Sequence, residues 1–182
     1  SHAWTAFPAY MDELCNRALS ARVRLQLFDA VVTPTVLYAS ATWALSRAQE
    51  RRLKSCRRKM LRQMCPLRPP VDELGLDGWL QYVSESTAHA EKICLQHNSE
   101  NWVKLHRRRK WRFARKLASL TDDRWTKRVL SWRPFHTRGR PIGHPPARWT
   151  DDLTAFGGGD WINAATDAQL WSALEDGFAD RL

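Results

Sequence analysis

The sequence lacks an apolar run long enough to cross a membrane. A membrane-spanning helix needs about 20 consecutive, largely apolar residues, and the nearest candidate, residues 28–45, is interrupted by Asp29, Pro34 and several threonines. No stretch has the pattern of a signal peptide either. We therefore expect neither a membrane span nor a membrane partner for this chain.

Cysteine is scarce and never closely paired. The four cysteines are widely spaced, at Cys15, Cys56, Cys65 and Cys94. The absence of a C-x-x-C motif favours free thiols in a reducing compartment. A zinc knuckle would need four ligands with a close pair at each end. Because Cys94-x-x-His97 with His106 supplies a single thiol, we expect no metal site.

Acidic residues are also in short supply. The 29 Lys and Arg residues outnumber the 19 Asp and Glu residues, which gives a net charge of +10. An excess of this size indicates an acidic partner, most often a nucleic acid. Residues 47–62 and 104–116 hold sixteen of the basic residues, whereas residues 150–182 hold seven acids and one base. We therefore predict a basic body followed by an acidic helical tail.

A helix with one apolar and one basic side is predicted after Ser46. Ser46 and Gln49 form a capping-box pair, which places the helix start at Arg47, and Pro66 stops the helix. Arg57 lies near the apolar edge, where it must snorkel or pair. At about 100° per residue, the apolar stripe contains Leu53, Cys56, Met60 and Met64. The opposite side carries the candidate nucleic-acid contacts Arg51, Arg52, Lys54, Arg58, Lys59 and Arg62.

This basic side has two possible interpretations, a solvated surface or a surface for a polyanion. Glu50 is the only acid in the segment. Like charges at helical spacing repel each other unless an anion neutralises them. The composition therefore favours the polyanion.

A second basic helix is predicted with Ser99 as its N-cap and Glu100 in its first turn. Its apolar side contains Trp102, Val103, His106, Phe113, Ala114 and Leu117, toward which Arg107 and Lys110 also project. Its other side carries the candidate contacts Lys104, Arg108, Arg109, Arg112, Arg115 and Lys116. Trp111 lies on the boundary, where an indole can stack on an exposed base. The run RRRK also fits a nuclear-import signal, so we expect a nuclear location.

The segment SWRPFHTRGRPIGHPPARW is predicted to be an extended, exposed connection. Its Arg138-Gly139-Arg140-Pro141 coincides with the core of an AT-hook, in which Arg-Gly-Arg enters a narrow A–T minor groove. The flanks lack the extra lysines of such hooks. A plain basic linker that lies along a nucleic-acid backbone is therefore preferred, with Arg138, Arg140 and Arg148 as candidate contacts.

Two Asp pairs, Asp122-Asp123 and Asp151-Asp152, raise the question of a catalytic metal site. Each pair follows a threonine, Thr121 or Thr150, and carboxylates in a first helical turn complement the helix dipole. Adjacent side chains on a helix also diverge by about 100°. We therefore interpret both pairs as capping elements and expect no catalytic residue in this chain.

Three phrases of the sequence carry a family resemblance. These are LFDAVVTPTVLYASATWAL with the following RKMLR, then KWRFARKLASLTDDRWTKRVLSW, and then GHPPARWTDDL. In this order they resemble the region just after the palm of reverse transcriptases from non-LTR retrotransposons of the RTE-like, endonuclease-encoding kind. Three departures stand out: Ala39 replaces a glycine, Arg115-Lys116 replaces a Gly-His pair, and His144 replaces an arginine.

The resemblance implies a thumb and C-terminal connector detached from its palm. The intact element would be an RNA-directed DNA polymerase whose Mg²⁺ belongs to the missing palm. The aromatic-x-Asp-Asp signature on a hairpin, which bears the carboxylates of that palm, is absent here. The implied partners are the palm and a nucleic acid, namely an RNA–DNA hybrid, RNA or duplex DNA. No cofactor is expected in this chain, which opens on Ser1 and is expected to be a fragment. A stand-alone AT-hook-like protein and an inactive relic remain as alternatives.

The predicted fold is all-α. Residues 4–32 are expected to be helical, with a kink at Pro34. In the tail, Thr166 and Gln169 form a capping box, Trp161 and Trp171 are expected to pack together in a small hairpin, and the hairpin either docks a protein or folds back on the basic body. The predicted domains are a thumb-like bundle (1–65), a linker (66–78), a basic connector (79–132), an Arg/Pro/Gly-rich linker (133–148) and acidic C-terminal helices (149–182).

Overall fold

A computed structural model describes residues 3–65, 67, 75–121, 125–131 and 148–181. Over these residues the regular structure is helical and contains no strand, which confirms the all-α prediction. The chain divides into two compact units, the first formed by Ser1–Tyr38 with Gln49–Val103 and the second by Ala39–Ala48 with Lys104–Leu182. The division after Val103 falls inside the predicted basic connector, residues 79–132. The predicted boundaries of the other domains stay predictions.

The first unit begins with several short helices rather than one long one. They are α1 (Ala3–Ala9), α2 (Met11–Leu14), α3 (Ala21–Leu27) and α4 (Thr33–Val36). The prediction of continuous helix from residue 4 to 32 is wrong between Cys15 and Ser20. There the Asn16 side chain accepts a hydrogen bond from the Ala18 N–H at 2.9 Å, and the Ser20 hydroxyl caps α3 by accepting from Val23 at 3.3 Å. Such local side-chain bonds compete with the helical pattern.

Pro34 perturbs the chain as predicted. The turn just before it, Phe28–Val32, is a π-helix, and the Thr33 N–H bonds to the Phe28 carbonyl. Proline has no N–H and its ring crowds the preceding turn, and one wider turn is a known way to absorb such a disruption. The helical course therefore widens at this point and continues into α4.

The core of the first unit is built on Trp102. Its ring is fully buried and stacks on Phe28 with ring centroids 5.7 Å apart. The indole N–H donates to the Thr33 hydroxyl at 2.8 Å, so its polar atom is satisfied inside the core. Two long helices, α5 (Arg47–Gln63) and α6 (Gly75–Gln96), supply further buried groups, among them Met60, Leu61, Ala90 and Cys94.

The second unit contains α7 (Trp102–Ala118) from Lys104 onward, together with a set of short helices. These are α8 (Trp125–Ser131), α9 (Asp151–Gly157), α10 (Trp161–Ala164), α11 (Ala168–Ala173) and α12 (Glu175–Asp180). The rings of Trp111 and Trp171 stack with centroids 3.6 Å apart and planes 2° apart. Each indole N–H donates to the other residue's carbonyl, at 2.7 Å from Trp111 and 2.9 Å from Trp171. Phe178, Trp161 and Leu153 complete this core.

The predicted packing of Trp161 with Trp171 is confirmed, with ring centroids 6.2 Å apart. The closer partner of Trp171 is Trp111, which the sequence did not reveal. The tail therefore folds back on α7, one of the two possibilities left open, because its largest apolar side chain completes the core of the second unit.

Three predicted helix caps are wrong. The helix α7 begins at Trp102, where Asn101 accepts from the Val103 N–H at 2.8 Å, so Ser99 is not its cap. Thr150 makes no side-chain capping bond to α9. The cap of α11 is Asp167 rather than Thr166, because the Asp167 carboxylate accepts from the N–H groups of Gln169 and Leu170. At α7 and α11 a neighbouring Asx side chain, Asn101 or Asp167, accepts from the free N–H groups of the first turn instead.

No helix in the described part of the chain is both long enough and apolar enough to span a membrane.

The reciprocal tryptophan pair predicts a large loss of stability when it is broken. We expect Trp171→Ala to lower the free energy of unfolding by about 3–5 kcal/mol, because it removes a buried indole and the hydrogen bond that this indole donates to the Trp111 carbonyl. Leu170→Ala on the same helix is the control, since Leu170 is about half exposed, and should cost under about 1 kcal/mol. Urea unfolding followed by circular dichroism measures both, and equal losses would contradict the assigned role of the pair.

Candidate nucleic-acid interface

The basic side of α5 is exposed along most of its length. The helix begins at Arg47 as predicted, and its exposed basic side chains are Arg51, Arg52, Lys54, Arg58 and Lys59, with Arg62 half-buried. We call these six residues the α5 cationic face. The opposite side packs into the first unit through Met60 and Leu61. The structure thus presents one face of α5 to solvent and commits the other to the core.

The side chains of four members of the α5 cationic face make no hydrogen bond or ion pair to any residue that the structure describes. These are Arg51, Arg52, Lys54 and Lys59. The other two are only loosely engaged. Arg58 pairs with Glu91 at 2.9 Å, and both side chains are about half exposed. Arg62 donates to the Thr87 hydroxyl at 3.2 Å. Since an exposed ion pair contributes little, most of the positive charge of this face is uncompensated by protein groups.

Arg57 behaves differently from its neighbours because it points inward. It is 6% exposed and donates to the Ser99 hydroxyl at 2.7 Å and the Ser99 carbonyl at 3.2 Å. It also contacts the Cys94 thiol at 3.6 Å. Of the two outcomes expected for Arg57 at the apolar edge, snorkelling or pairing, the structure shows pairing.

The basic side of α7 is largely neutralised by the acidic C-terminal helices. Glu175 binds Arg112 at 2.7 Å and Arg108 at 3.1 Å. Asp176 pairs with Arg108 at 2.6 Å, and Asp180 pairs with Lys104 at 2.7 Å. These ion pairs lie within the second unit and supply, from the same chain, the counter-charge that a nucleic acid would bring.

Glu175 is the central carboxylate of this network. Burial by itself raises the pKa of Glu175, but hydrogen bonds and charge from Arg112 and Arg108 outweigh that effect and hold the pKa below its ordinary value. The carboxylate is therefore firmly ionised at neutral pH. The sequence marked the acidic tail by its excess of one sign, and only the fold assigns Glu175, Asp176 and Asp180 to an arginine or lysine of α7.

Lys110 and Arg107 lie on the inner side of α7, as predicted. Lys110 is 1% exposed, pairs with Asp152 at 2.7 Å and lies 5.1 Å from the centre of the Trp149 ring. Burial lowers the pKa of Lys110, and the Asp152 charge partly offsets that effect. Arg181 also binds Asp152, at 3.0 Å. Asp152 is thus a partner for two cations and also, as predicted, an acid in the first turn of α9, where its carboxylate accepts from the Leu153 N–H at 2.9 Å.

The prediction that Trp111 stacks on a base is wrong. Trp111 is fully buried, Trp171 covers its face at 3.6 Å, and Phe178 lies with its ring centroid 4.5 Å away. Its N–H is already bonded to the Trp171 carbonyl. A residue at the boundary of the apolar side of a helix can be either exposed or buried, and the docking of α11 buries Trp111.

The remaining candidate residues are scattered. Arg115 and Lys116 are exposed at the end of α7, without a partner among the residues described, while Arg109 is half-buried. Arg148 is exposed and its backbone N–H donates to Asp151 at 2.6 Å. Arg138, Arg140 and the pair Asp122-Asp123 lie outside the described residues. The α5 cationic face is therefore the largest set of predicted contacts that the structure keeps together and open.

No group of three or more His, Cys, Asp or Glu residues in the described ranges is arranged to hold a metal ion. The cysteines are all free thiols, with Cys65 and Cys94 buried and Cys15 and Cys56 half-buried. Burial raises the pKa of the Cys56 thiol, and a nearby Lys59 charge only partly offsets it. This environment does not favour the thiolate that metal binding or nucleophilic attack requires.

The chain is similar to a Caenorhabditis elegans protein that is described as transposon-derived. The two are 26% identical over 181 residues, an alignment that covers 94% of this chain and 60% of that protein. The chain therefore spans less than two thirds of the length of this relative. No protein-family profile matches the chain, and no solved structure matches it. The similarity suggests a transposon origin.

The Glu175 network predicts a loss of stability in acid. Because the folded pKa of Glu175 lies below its unfolded value of 4.5, its contribution is fully present above that pH and is lost as the pH falls through the folded pKa. We expect Glu175→Gln to lower the free energy of unfolding at pH 7 by about 1–3 kcal/mol. The variant should also show a shallower loss of stability below pH 4.5 in urea titrations.

Asp160→Asn is the matched control for this prediction. The Asp160 carboxylate is exposed and accepts from the Asn163 side chain at 2.7 Å, without an ion pair among the described residues. This variant should keep the acid sensitivity of the original protein. If Asp160→Asn and Glu175→Gln flatten the pH dependence equally, the assignment to Glu175 is wrong.

Proposed function

We propose that this chain is a nucleic-acid-binding part of a retrotransposon reverse transcriptase, corresponding to its thumb and C-terminal connector. In this proposal the chain grips a primer–template duplex or the element RNA by its phosphates. The observation that carries the proposal is the α5 cationic face, in which four of six basic side chains have no partner in the described structure. The suggested transposon origin and the three sequence phrases support the choice of family.

A phosphate backbone is the ligand that best fits this face. The cations occupy about three turns of one helix, and a row of like charges is unfavourable until an extended anion neutralises it. Nucleic acids supply such an anion, and their binding to lysines and arginines releases condensed counterions. We therefore propose binding that depends steeply on salt and weakly on base sequence, since phosphate contacts carry no base identity.

The second basic helix has a different proposed role. Because Glu175, Asp176 and Asp180 already neutralise much of α7, we assign its paired cations to folding of the second unit. Arg115, Lys116 and Arg148 remain as secondary contacts in the proposal. This revision confines the principal interface to the first unit.

Catalysis belongs, in this proposal, to segments of the polymerase outside this chain. We propose that the chain has no catalytic residues or cofactor of its own, and that Mg²⁺ is held by the palm of the intact RNA-directed DNA polymerase. The palm would be its protein partner, and the nucleus its place of action. Trp149-Thr150-Asp151-Asp152 matches the aromatic-x-Asp-Asp pattern in letters, but its two aspartates begin the helix α9 rather than lie on a hairpin, which supports this division of labour.

Fluorescence anisotropy with three labelled probes tests the proposal. The probes are an RNA–DNA hybrid, a structured RNA and an A–T-rich DNA duplex, each titrated across a salt series. We expect binding with a preference for the hybrid or the RNA. The triple variant Arg51→Gln, Arg52→Gln, Lys59→Gln should bind about 10- to 100-fold more weakly at 0.15 M salt and lose about 2–3 units of log–log salt slope.

A matched pair of single variants controls for net charge. Arg52→Gln removes a cation without a described partner, whereas Arg112→Gln removes an exposed cation already bound to Glu175. Arg52→Gln should weaken binding more, with circular dichroism confirming that both variants fold. Absence of binding near 0.15 M salt would sink the proposal and leave an inactive relic. Preference for the A–T duplex, lost on Arg140→Ala, would favour the minor-groove alternative instead.

A further inference from the structure

Ser55 occupies the middle of the α5 cationic face. Residues three and four positions away on a helix are neighbours on its surface, with Cβ atoms about 5–6 Å apart. For Ser55 these neighbours are Arg51 and Arg52 on one side and Arg58 and Lys59 on the other. All four are basic and all four are exposed. The small side chain is therefore surrounded by four longer cationic ones.

The Ser55 hydroxyl is available for a ligand. Serine and threonine inside helices commonly donate to the carbonyl four residues earlier, and this chain has several such bonds. Ser86 donates to Tyr82 at 2.6 Å, Thr87 to Val83 at 2.6 Å and Ser119 to Arg115 at 2.9 Å. The Ser55 side chain is exposed, and its hydroxyl makes no hydrogen bond to any described residue. Its donor thus faces solvent between the four cations.

We propose that Ser55 is the seat of one nucleic-acid backbone phosphate. The Ser55 hydroxyl donates to a phosphate oxygen, and the guanidinium and ammonium groups of the surrounding residues approach the other oxygens. Charge-assisted hydrogen bonds of this kind are shorter and stronger than neutral ones, and arginine can bind phosphate with two N–H groups at once. The short serine leaves a depression between longer arms, into which the tetrahedral group fits.

The cation that must move for this contact is Arg58. It pairs with Glu91 at 2.9 Å in an exposed bridge, and exposed bridges are weak. Exchange of Glu91 for a phosphate therefore costs little. The other three cations have no described protein partner to give up. This inference rests on the proposed function and assigns the point on the interface where the closest phosphate lies.

Two substitutions that add the same charge test the proposal. Ser55→Asp places a carboxylate inside the ring of cations, whereas Thr154→Asp places one at an exposed position of α9 in the second unit. With the RNA–DNA hybrid probe at 0.15 M salt, we expect Ser55→Asp to weaken binding at least about tenfold, because it occupies the phosphate seat and neutralises its neighbours. Thr154→Asp should weaken binding by less than about threefold, since it leaves the α5 cationic face unchanged and alters only the overall charge.

Two milder variants separate the hydroxyl from the charge. Ser55→Ala keeps the helix, because alanine favours it, and should bind about two- to fivefold more weakly through loss of one hydrogen bond. Ser55→Thr keeps the hydroxyl and should retain most of the affinity. Circular dichroism melting confirms that each variant is folded.

The outcomes distinguish this inference from the function on which it rests. If the unmodified chain does not bind the probe, the proposed function fails. If the unmodified chain binds and the triple variant of α5 weakens that binding, while Ser55→Asp and Thr154→Asp have equal effects, the function stands and the phosphate seat is overturned. Equal affinities of Ser55→Ala and the unmodified chain would remove the hydroxyl from the contact.

Discussion

The reciprocal contact of Trp111 and Trp171 is the interaction on which the second unit depends. Two stacked indoles exchange N–H to carbonyl hydrogen bonds across a sequence separation of 60 residues. Because both polar atoms are satisfied, two large aromatic groups are buried together without a desolvation penalty for an unpaired donor. This contact holds α11 against α7, and α12 follows it directly along the chain. The placement of Glu175 beside the α7 arginines is thus a consequence of an apolar contact.

The two basic helices illustrate how packing decides the use of a charged surface. Both α5 and α7 have one apolar side and one rich in lysine and arginine, and the sequence alone treats them alike. In α7 the carboxylates of α12 reach Arg108 and Arg112, so that these two cations are neutralised by their own chain. In α5, Arg58 pairs with Glu91, and both side chains are about half exposed. Charge without a partner is therefore concentrated on α5.

The buried arginines and the buried lysine differ in the type of hydrogen-bond acceptor that surrounds them. Arg57 and Arg24 donate to neutral acceptors, namely the Ser99 hydroxyl and the Met64 carbonyl, while the Nε of each is buried without a hydrogen-bond partner among the described residues. Lys110 instead receives a carboxylate, Asp152, beneath the ring of Trp149. A compact ammonium is more strongly hydrated than a delocalised guanidinium, so its burial calls for a charged partner. These residues stabilise the units and leave the exposed cations to carry any interaction with a polyanion.

The sequence by itself determined the helical class, the start of α5 at Arg47, the disturbance at Pro34 and the inward position of Arg57 and Lys110. These features depend on periodicity, proline chemistry and short-range spacing, which act within a few residues. Only the tertiary structure decided that Trp111 is buried, that Asp167 and Asn101 cap their helices, and that the acidic tail neutralises α7. Such outcomes join groups up to about 75 residues apart, such as Lys104 and Asp180, and depend on which apolar surfaces dock first. The local sequence pattern does not predict that docking, because the free energy that drives it comes from burying apolar side chains in the packed core.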